Sequence, residues 1–224
     1  LDRWILEKTA GVGRRILRGC DEYEYHVIFH SIYNFFTVDL SSFYLDVLKD
    51  RLYCSARDSL FRKSAQTALF YVLKDTLILM APILSFTTEE AWESLPSYDA
   101  KQKSVHLETF PAFQEKWLEP DESREMDRLL GLREAVLKEL EKAREEKLIG
   151  NSLEAQVTLL VPPSDWALVQ KHKGDLAALF IVPRVALEQG PGAEPTVQVS
   201  RAPGEKCQRC WNYSTYVGKS REYP

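Results

Sequence analysis

Apolar residues recur at helical spacing through the first half of the chain. Trp4, Ile5, Val12 and Ile16 fall on one helical face, and Ile28, Ile32, Phe35, Phe36 and Leu40 mark a second. Phe43, Val47, Leu48 and Leu52 continue the pattern beyond Ser41-Ser42, a pair whose hydroxyls can bond the backbone and so predicts a cap or kink. A fourth run over residues 59–80 places Phe61, Ala65, Ala68, Leu69, Val72, Leu73 and Leu79 inward and is interrupted at Pro82. Thr87 with Glu90 three residues on reads as a capping box, opening a short helix that carries Trp92 and Leu95. These four or five helices have bundle length and, with short loops, pack antiparallel. Residues 96–120 hold Pro96, Tyr98, Pro111 and Trp117 at irregular spacing, which predicts a loop wrapped back over the bundle.

The pattern changes near Pro120-Asp121. Met126, Leu129, Leu130, Val136, Leu137 and Leu140 lie on one face of a long charged helix, with Gly150 as its expected stop. Ala155, Val157, Leu159 and Val161 alternate, which predicts a strand over 154–161. Trp166, Leu168, Val169 and the run 176–180 predict short helices. Residues 184–188 and 196–200 predict two more strands, separated by a Gly190-Pro191-Gly192 turn. The expected fold is therefore mainly α: an antiparallel helical bundle over 1–120, then a small α+β domain over 121–203, then a short cysteine-bearing segment over 204–224.

The chain has 224 residues, 45% of them hydrophobic, enough for one large core or two small ones. The 28% charged fraction fits a globular chain. No apolar run approaches the ~20 residues needed to cross a bilayer, and no secretory signal opens the sequence. The opening reads as a helix in mid-flow and Arg221-Glu222-Tyr223-Pro224 as an end without terminating structure, so part of a longer, cytoplasmic and monomeric protein is expected. The formal net charge of −4 argues against a uniformly basic nucleic-acid sleeve but leaves room for a local basic face.

Catalytic motifs are largely missing. Gly11-Val12-Gly13 lacks the third glycine of a dinucleotide fingerprint, and Gly218-Lys219-Ser220 lacks the upstream glycine of a phosphate loop. His26 and His30 share a helical face but read as packing or surface residues rather than metal ligands, and Cys20 and Cys54 as small buried hydrophobes. Two signals remain. Cys207-Gln208-Arg209-Cys210 is a C-x-x-C turn that can present two thiolates to one Zn²⁺; a structural site needs four ligands, and a redox pair is the rival reading. Between Lys49 and Lys63, the cations Lys49, Arg51, Arg57, Arg62 and Lys63 stand against Asp50 and Asp58, five against two, with Tyr53 among them. Such a stretch can hold phosphates and stack unpaired bases, or it can be a solvated helix face; composition does not choose. Arg14, Arg15 and Arg18 form a weaker cluster. The charge run 139–147 reads as a solvated face with i,i+4 pairs.

Several segments resemble one family. Phe43-Tyr44-Leu45-Asp46-Val47-Leu48-Lys49-Asp50-Arg51-Leu52-Tyr53 is similar to the anticodon-binding helical domain of isoleucyl-tRNA synthetases, and Leu1-Asp2-Arg3-Trp4-Ile5-Leu6 to its opening helix. Ala81-Pro82-Ile83-Leu84-Ser85-Phe86-Thr87-Thr88-Glu89-Glu90-Ala91-Trp92 resembles a segment shared with the valyl and leucyl enzymes, and Ser104-Val105-His106-Leu107 the stretch that closes the bundle. Glu145-Glu146-Lys147-Leu148-Ile149-Gly150-Asn151-Ser152-Leu153-Glu154-Ala155 and Lys206-Cys207-Gln208-Arg209-Cys210-Trp211-Asn212-Tyr213 resemble the junction and first zinc knuckle of the isoleucyl type. The resemblance implies a class I anticodon-binding domain, a tRNA partner, ATP-driven ligation on a catalytic part whose His-x-Gly-His and Lys-Met-Ser-Lys-Ser type motifs are not in this sequence, and a fragment inactive alone. It implies zinc at Cys207 and Cys210, with the second ligand pair missing. Phosphate contact is then expected at Arg51, Arg57, Arg62 and Lys63, and base contact at Arg209 and Trp211. The competing expectations are a helical protein-interaction scaffold, or the equivalent module of a valyl or leucyl enzyme.

Overall fold

Helix α1 spans Asp2–Asp21 and buries Trp4, Ile5, Val12 and Ile16, the wide apolar stripe that a 3.6-residue period creates. The computed structural model describes residues 1–113 and 116–219. The chain divides into two compact units, Leu1–Glu119 and Pro120–Pro224. Among the described residues it is mainly helical, with strands confined to the second unit.

In the first unit, α1 packs against α2 (Tyr25–Asn34) and α5 (Leu60–Met80). Helix α2 runs without a break into a π-helix, Phe35–Tyr44, followed by α3 (Leu45–Val47) and α4 (Lys49–Tyr53). The expected cap or kink at Ser41-Ser42 is not there. The Ser42 hydroxyl donates to the Val38 carbonyl and that of Thr37 to the Tyr33 carbonyl, both at 2.7 Å, so the polar side chains are absorbed inside a helix that widens rather than stops.

Along α5, Ala65, Ala68, Val72 and Leu79 are buried, but Phe61 and Leu73 point outward and are 62% and 44% exposed. Helix α6 covers Ser85–Ser94, starting two residues before Thr87, so the expected capping box does not form; the Thr88 hydroxyl instead donates back to the Leu84 carbonyl. Trp92 is fully buried among Leu77, Ile78, Leu95 and Val105, and its indole N–H donates to the Gln102 carbonyl at 3.0 Å. The following loop does wrap over the bundle. The Trp117 amide donates to Glu7 and the Arg14 guanidinium to the Phe113 carbonyl, each at 2.9 Å. Gly13 is required there, because a Cβ would lie 2.3 Å from the Phe113 ring.

In the second unit, α7 (Pro120–Glu145) buries Met126, Leu129, Leu132, Val136, Leu140 and Ala143, so the stripe passes beside Leu130 and Leu137 rather than over them. It ends five residues before Gly150. The Leu148 amide bonds the Ala143 carbonyl at 2.9 Å and the Lys147 amide that of Arg144 at 3.0 Å, a Schellman closure with Lys147 in the left-handed position at φ 59°. The charge run on this helix uses i,i+3 pairs, Glu139 with Lys142 and Glu141 with Arg144, rather than the i,i+4 pairs expected.

Strand β1 (Ala155–Val161) alternates buried and half-buried positions without exception. It is the centre of a three-stranded sheet, parallel to β2 (Arg184–Gln189) and antiparallel to β3 (Thr196–Arg201), with Val157 opposite both Val185 and Val199. The β1–β2 crossover carries α8 (Pro163–Lys171) and α9 (Leu176–Phe180). Gly190-Pro191-Gly192 thus connects two strands that both pair with β1. Short strands β4 (Glu205–Lys206) and β5 (Tyr213–Ser214) form a separate ladder. Arg221–Pro224, read as an end without terminating structure, lies outside the described residues. Cys20 and Cys54 are half-buried thiols, less enclosed than expected.

Candidate nucleic-acid interface

The first turn of α1 and the corner between α4 and α5 meet at one carboxylate. Asp2 Oδ1 accepts from the Tyr44 hydroxyl and from Arg51 Nη1, both at 2.9 Å; Oδ2 accepts from Arg51 Nη2 at 2.6 Å and from the Ser64 hydroxyl. Burial alone would raise the Asp2 carboxyl, but the bonds from Arg51 and Ser64 and the Arg51 charge outweigh it and hold it below its ordinary value. Burial and the neighbouring Asp2 charge push the Tyr44 phenol far up, so it remains a neutral donor. Arg51 also donates to the Phe61 carbonyl at 2.8 Å and sits 5.2 Å from the centre of the Phe61 ring. Its side chain is 15% exposed. Arg51 therefore shapes the corner from inside.

Three of the other four cations of this stretch, Lys49, Arg57 and Lys63, face outward. Arg57 and Lys63 are exposed, and Arg62 is half-buried with its guanidinium 3.4 Å from the Ser55 carbonyl. Lys49 is paired with Asp46. Around them stand Tyr53, Leu60 and Phe61, exposed by 73%, 82% and 62%. Helix α5 begins here with no side-chain cap on its first amides, so its positive end adds to the cationic character of the corner. Sequence reasoning found the cations but placed Phe61 in the core. It also missed Asp2 and Ser64 as the groups that hold Arg51, for which the local sequence carries no signal.

The second candidate surface is the turn between β4 and β5. The Cys207 amide donates to the Asn212 carbonyl and the Trp211 amide to the Cys207 carbonyl, each at 2.9 Å. Trp211 takes a left-handed conformation at φ 65°, which leaves its ring 61% exposed with the Lys206 ammonium 5.1 Å from its centre. Gly204 is required at the base, because a Cβ would lie 2.3 Å from the Ser214 carbonyl. Hydrogen bonds from the backbone amides of Cys210 and Arg209, and then the Cys210 thiol, lower the Cys207 pKa. Two sulfur donors on one tight turn fit half of a tetrahedral thiolate site, and no group of three or more possible ligands occurs among the described residues. Arg209 is exposed beside them. His106 and His172 are engaged elsewhere, near the Ser85 carbonyl and Glu125, each at 3.3 Å.

Comparison with known proteins identifies the family of the chain. The family described as the anticodon-binding domain of tRNA ligase matches residues 2–159. All of this chain aligns with isoleucine–tRNA ligases of Syntrophotalea carbinolica at 45% identity, Geobacter sulfurreducens at 41% and Thermotoga maritima at 40%. In each case it covers 25% of the relative, so the chain spans about a quarter of the length of these curated relatives. No helix among the described residues is long and apolar enough to cross a membrane. With the family match extending from the first turn of α1 into β1, the chain belongs to the family of anticodon-binding domains of tRNA ligases.

Proposed function

We propose that this chain is the tRNA-recognition module of an isoleucine–tRNA ligase. The observation that carries the reading is the family match together with 40–45% identity to such ligases along the entire chain. The module positions the anticodon stem-loop, and the ATP-driven joining of isoleucine to tRNA belongs to other parts of the enzyme. It works as a monomer in the cytoplasm.

Arg57, Lys63 and the uncapped start of α5 hold backbone phosphates, with Arg62 at the edge of the same corner. Arg51 is a positioning residue, because its guanidinium is already forked onto Asp2. Arg209 and Trp211 take unpaired bases, the exposed indole by stacking. Cys207 and Cys210 would supply two of the four ligands of a structural zinc, and the metal would lock the turn that presents Trp211.

The test is binding of this chain to an isoleucine tRNA transcript and to the same transcript with its anticodon changed, across a salt series. The reading predicts preference for the native anticodon and an affinity that falls as salt rises. Equal binding of both transcripts, or none, would sink it. An exposed apolar cluster mediating protein contact would then be the function to pursue.

A further inference from the structure

The Cys207–Cys210 turn has a chemistry open to it besides metal ligation. The Trp211 amide, bonded to the Cys207 carbonyl at 2.9 Å, winds residues 207–211 into one turn, and side chains three residues apart on such a turn are neighbours. The two sulfurs do meet: the Cys210 thiol donates to the Cys207 sulfur, which also accepts from the backbone amides of Cys210 and Arg209. Closing a disulfide asks for Cβ atoms roughly 3.5–4.5 Å apart, a geometry that two sulfurs already in contact reach by side-chain rotation. A structural metal needs four ligands, and no group of three or more occurs among the described residues; a disulfide needs only the pair itself.

The pair is within reach of a solute. Both thiols are half-buried, and Gln208 and Arg209 between them are exposed. Lys206 and Arg209 stand against Glu205 alone, two cations against one anion, which suits a small anionic reagent. The two sulfurs also differ. Cys207 collects three donors, so negative charge on its sulfur is held in place, while Cys210 is itself one of those donors. Cys207 is thereby the attacking sulfur and Cys210 the one that follows. Cys20 is a poorer target, because burial and the Asp21 charge push its thiol up.

We infer that Cys207–Cys210 is a site of reversible thiol–disulfide modification, at which Cys207 attacks a small anionic disulfide and Cys210 resolves the product. The Cys207 thiolate bonds to one sulfur of the reagent, the reagent's sulfur–sulfur bond breaks, and one small thiolate leaves. Cys210 then gives its proton to solvent and attacks the Cys207 sulfur; the mixed bond breaks and the second small thiolate leaves. The chain loses two hydrogens and is oxidised by two electrons, and the reagent is reduced to two thiols. Within the turn, the disulfide and zinc exclude one another, because the same sulfurs serve both. Trp211 follows Cys210 directly, so the turn that presents it is under redox control; this consequence for RNA rests on the tRNA-binding reading, and the modification itself does not.

Oxidised glutathione serves as the probe on the 224-residue chain. After incubation, remaining thiols are alkylated and the chain is cut with trypsin, which cleaves after Lys206 and after Arg209 and so separates the two cysteines. The expected product is the peptide 207–209 joined to the peptide that begins at Cys210, and a dithiol reductant should release it. Cys210→Ser should stop at a glutathione mixed disulfide on Cys207. Cys207→Ser should modify Cys210 about tenfold more slowly than Cys210→Ser modifies Cys207. A chain that stays reduced overturns the inference. So do earlier modification at Cys20 or Cys54, a mixed disulfide that persists on Cys207 while Cys210 is present, and equal rates in the two variants. Binding of an isoleucine-tRNA anticodon stem-loop before and after oxidation forms the second arm. Joined peptides with a changed affinity support both statements; joined peptides with an unchanged affinity leave the modification standing and remove its link to RNA.

Discussion

Each unit of this chain contains one aspartate clamped by a forked arginine, and the two clamps are built differently. In the first unit Asp2 is held by Arg51, Tyr44 and Ser64, drawn from three separate elements, and both members of the ion pair are about equally enclosed, at 15% and 14% exposure. In the second unit Asp165 is 7% exposed, while Arg128, which grips it at 2.9 and 2.6 Å, is 53% exposed. The first clamp spends an arginine of the basic stretch on internal order, and the cations left over, Arg57 and Lys63, face outward. The second ties α8 to α7. A basic run is therefore not a binding surface as a whole; some of its members build the surface that the others use.

Removing the arginines breaks the comparison most directly. Arg51→Ala leaves Asp2 with only hydroxyl donors and should cost about 3 kcal/mol in denaturant unfolding of the first unit. Arg51→Lys, which keeps the charge but not the fork, should fall between the two. Arg128→Ala should cost about 2 kcal/mol, less because water reaches half of the guanidinium.

A third carboxylate sharpens the contrast. Asp75 has no arginine, and burial, opposed only by Lys74, raises its pKa to about 6. Its folded value lies above the unfolded one, so its contribution favours the folded state at low pH and is lost as pH rises from about 4 to about 6. Asp2 has the opposite sign: its lowered value contributes stability above the ordinary carboxylate range that is lost as pH falls through it. Asp75→Asn should therefore remove the decline toward neutral pH and add about 1–2 kcal/mol at pH 7. A pH–stability profile of the two chains checks the sign.

The legible parts of the fold were those set by local periodicity. The alternation of Ala155, Val157, Leu159 and Val161 specifies a strand with one buried face, and the structure places it at the sheet centre. The long apolar repeats specify α1, α5 and α7 in the same way. What escaped was decided by tertiary partners. Ser41-Ser42 look like a break, yet the hydroxyls fold back onto carbonyls inside a π-helix. Gly150 looks like a helix stop, yet Lys147 takes the left-handed position three residues earlier. Phe61 looks like core, yet its ring lies outside against Arg51. Of the candidate interface, the cations and the C-x-x-C turn could be read from the sequence. The diversion of Arg51 to Asp2, 49 residues away, could not.

The central claim is that the outward cations of the α4–α5 corner hold tRNA phosphates while Arg51 does not. Its most direct test is the salt dependence of binding to the isoleucine tRNA transcript for the unaltered chain and for the Arg57→Ala/Lys63→Ala double variant. The account predicts that the slope of log affinity against log salt falls by about 1–2, with the preference for the native anticodon kept. An unchanged slope would contradict it.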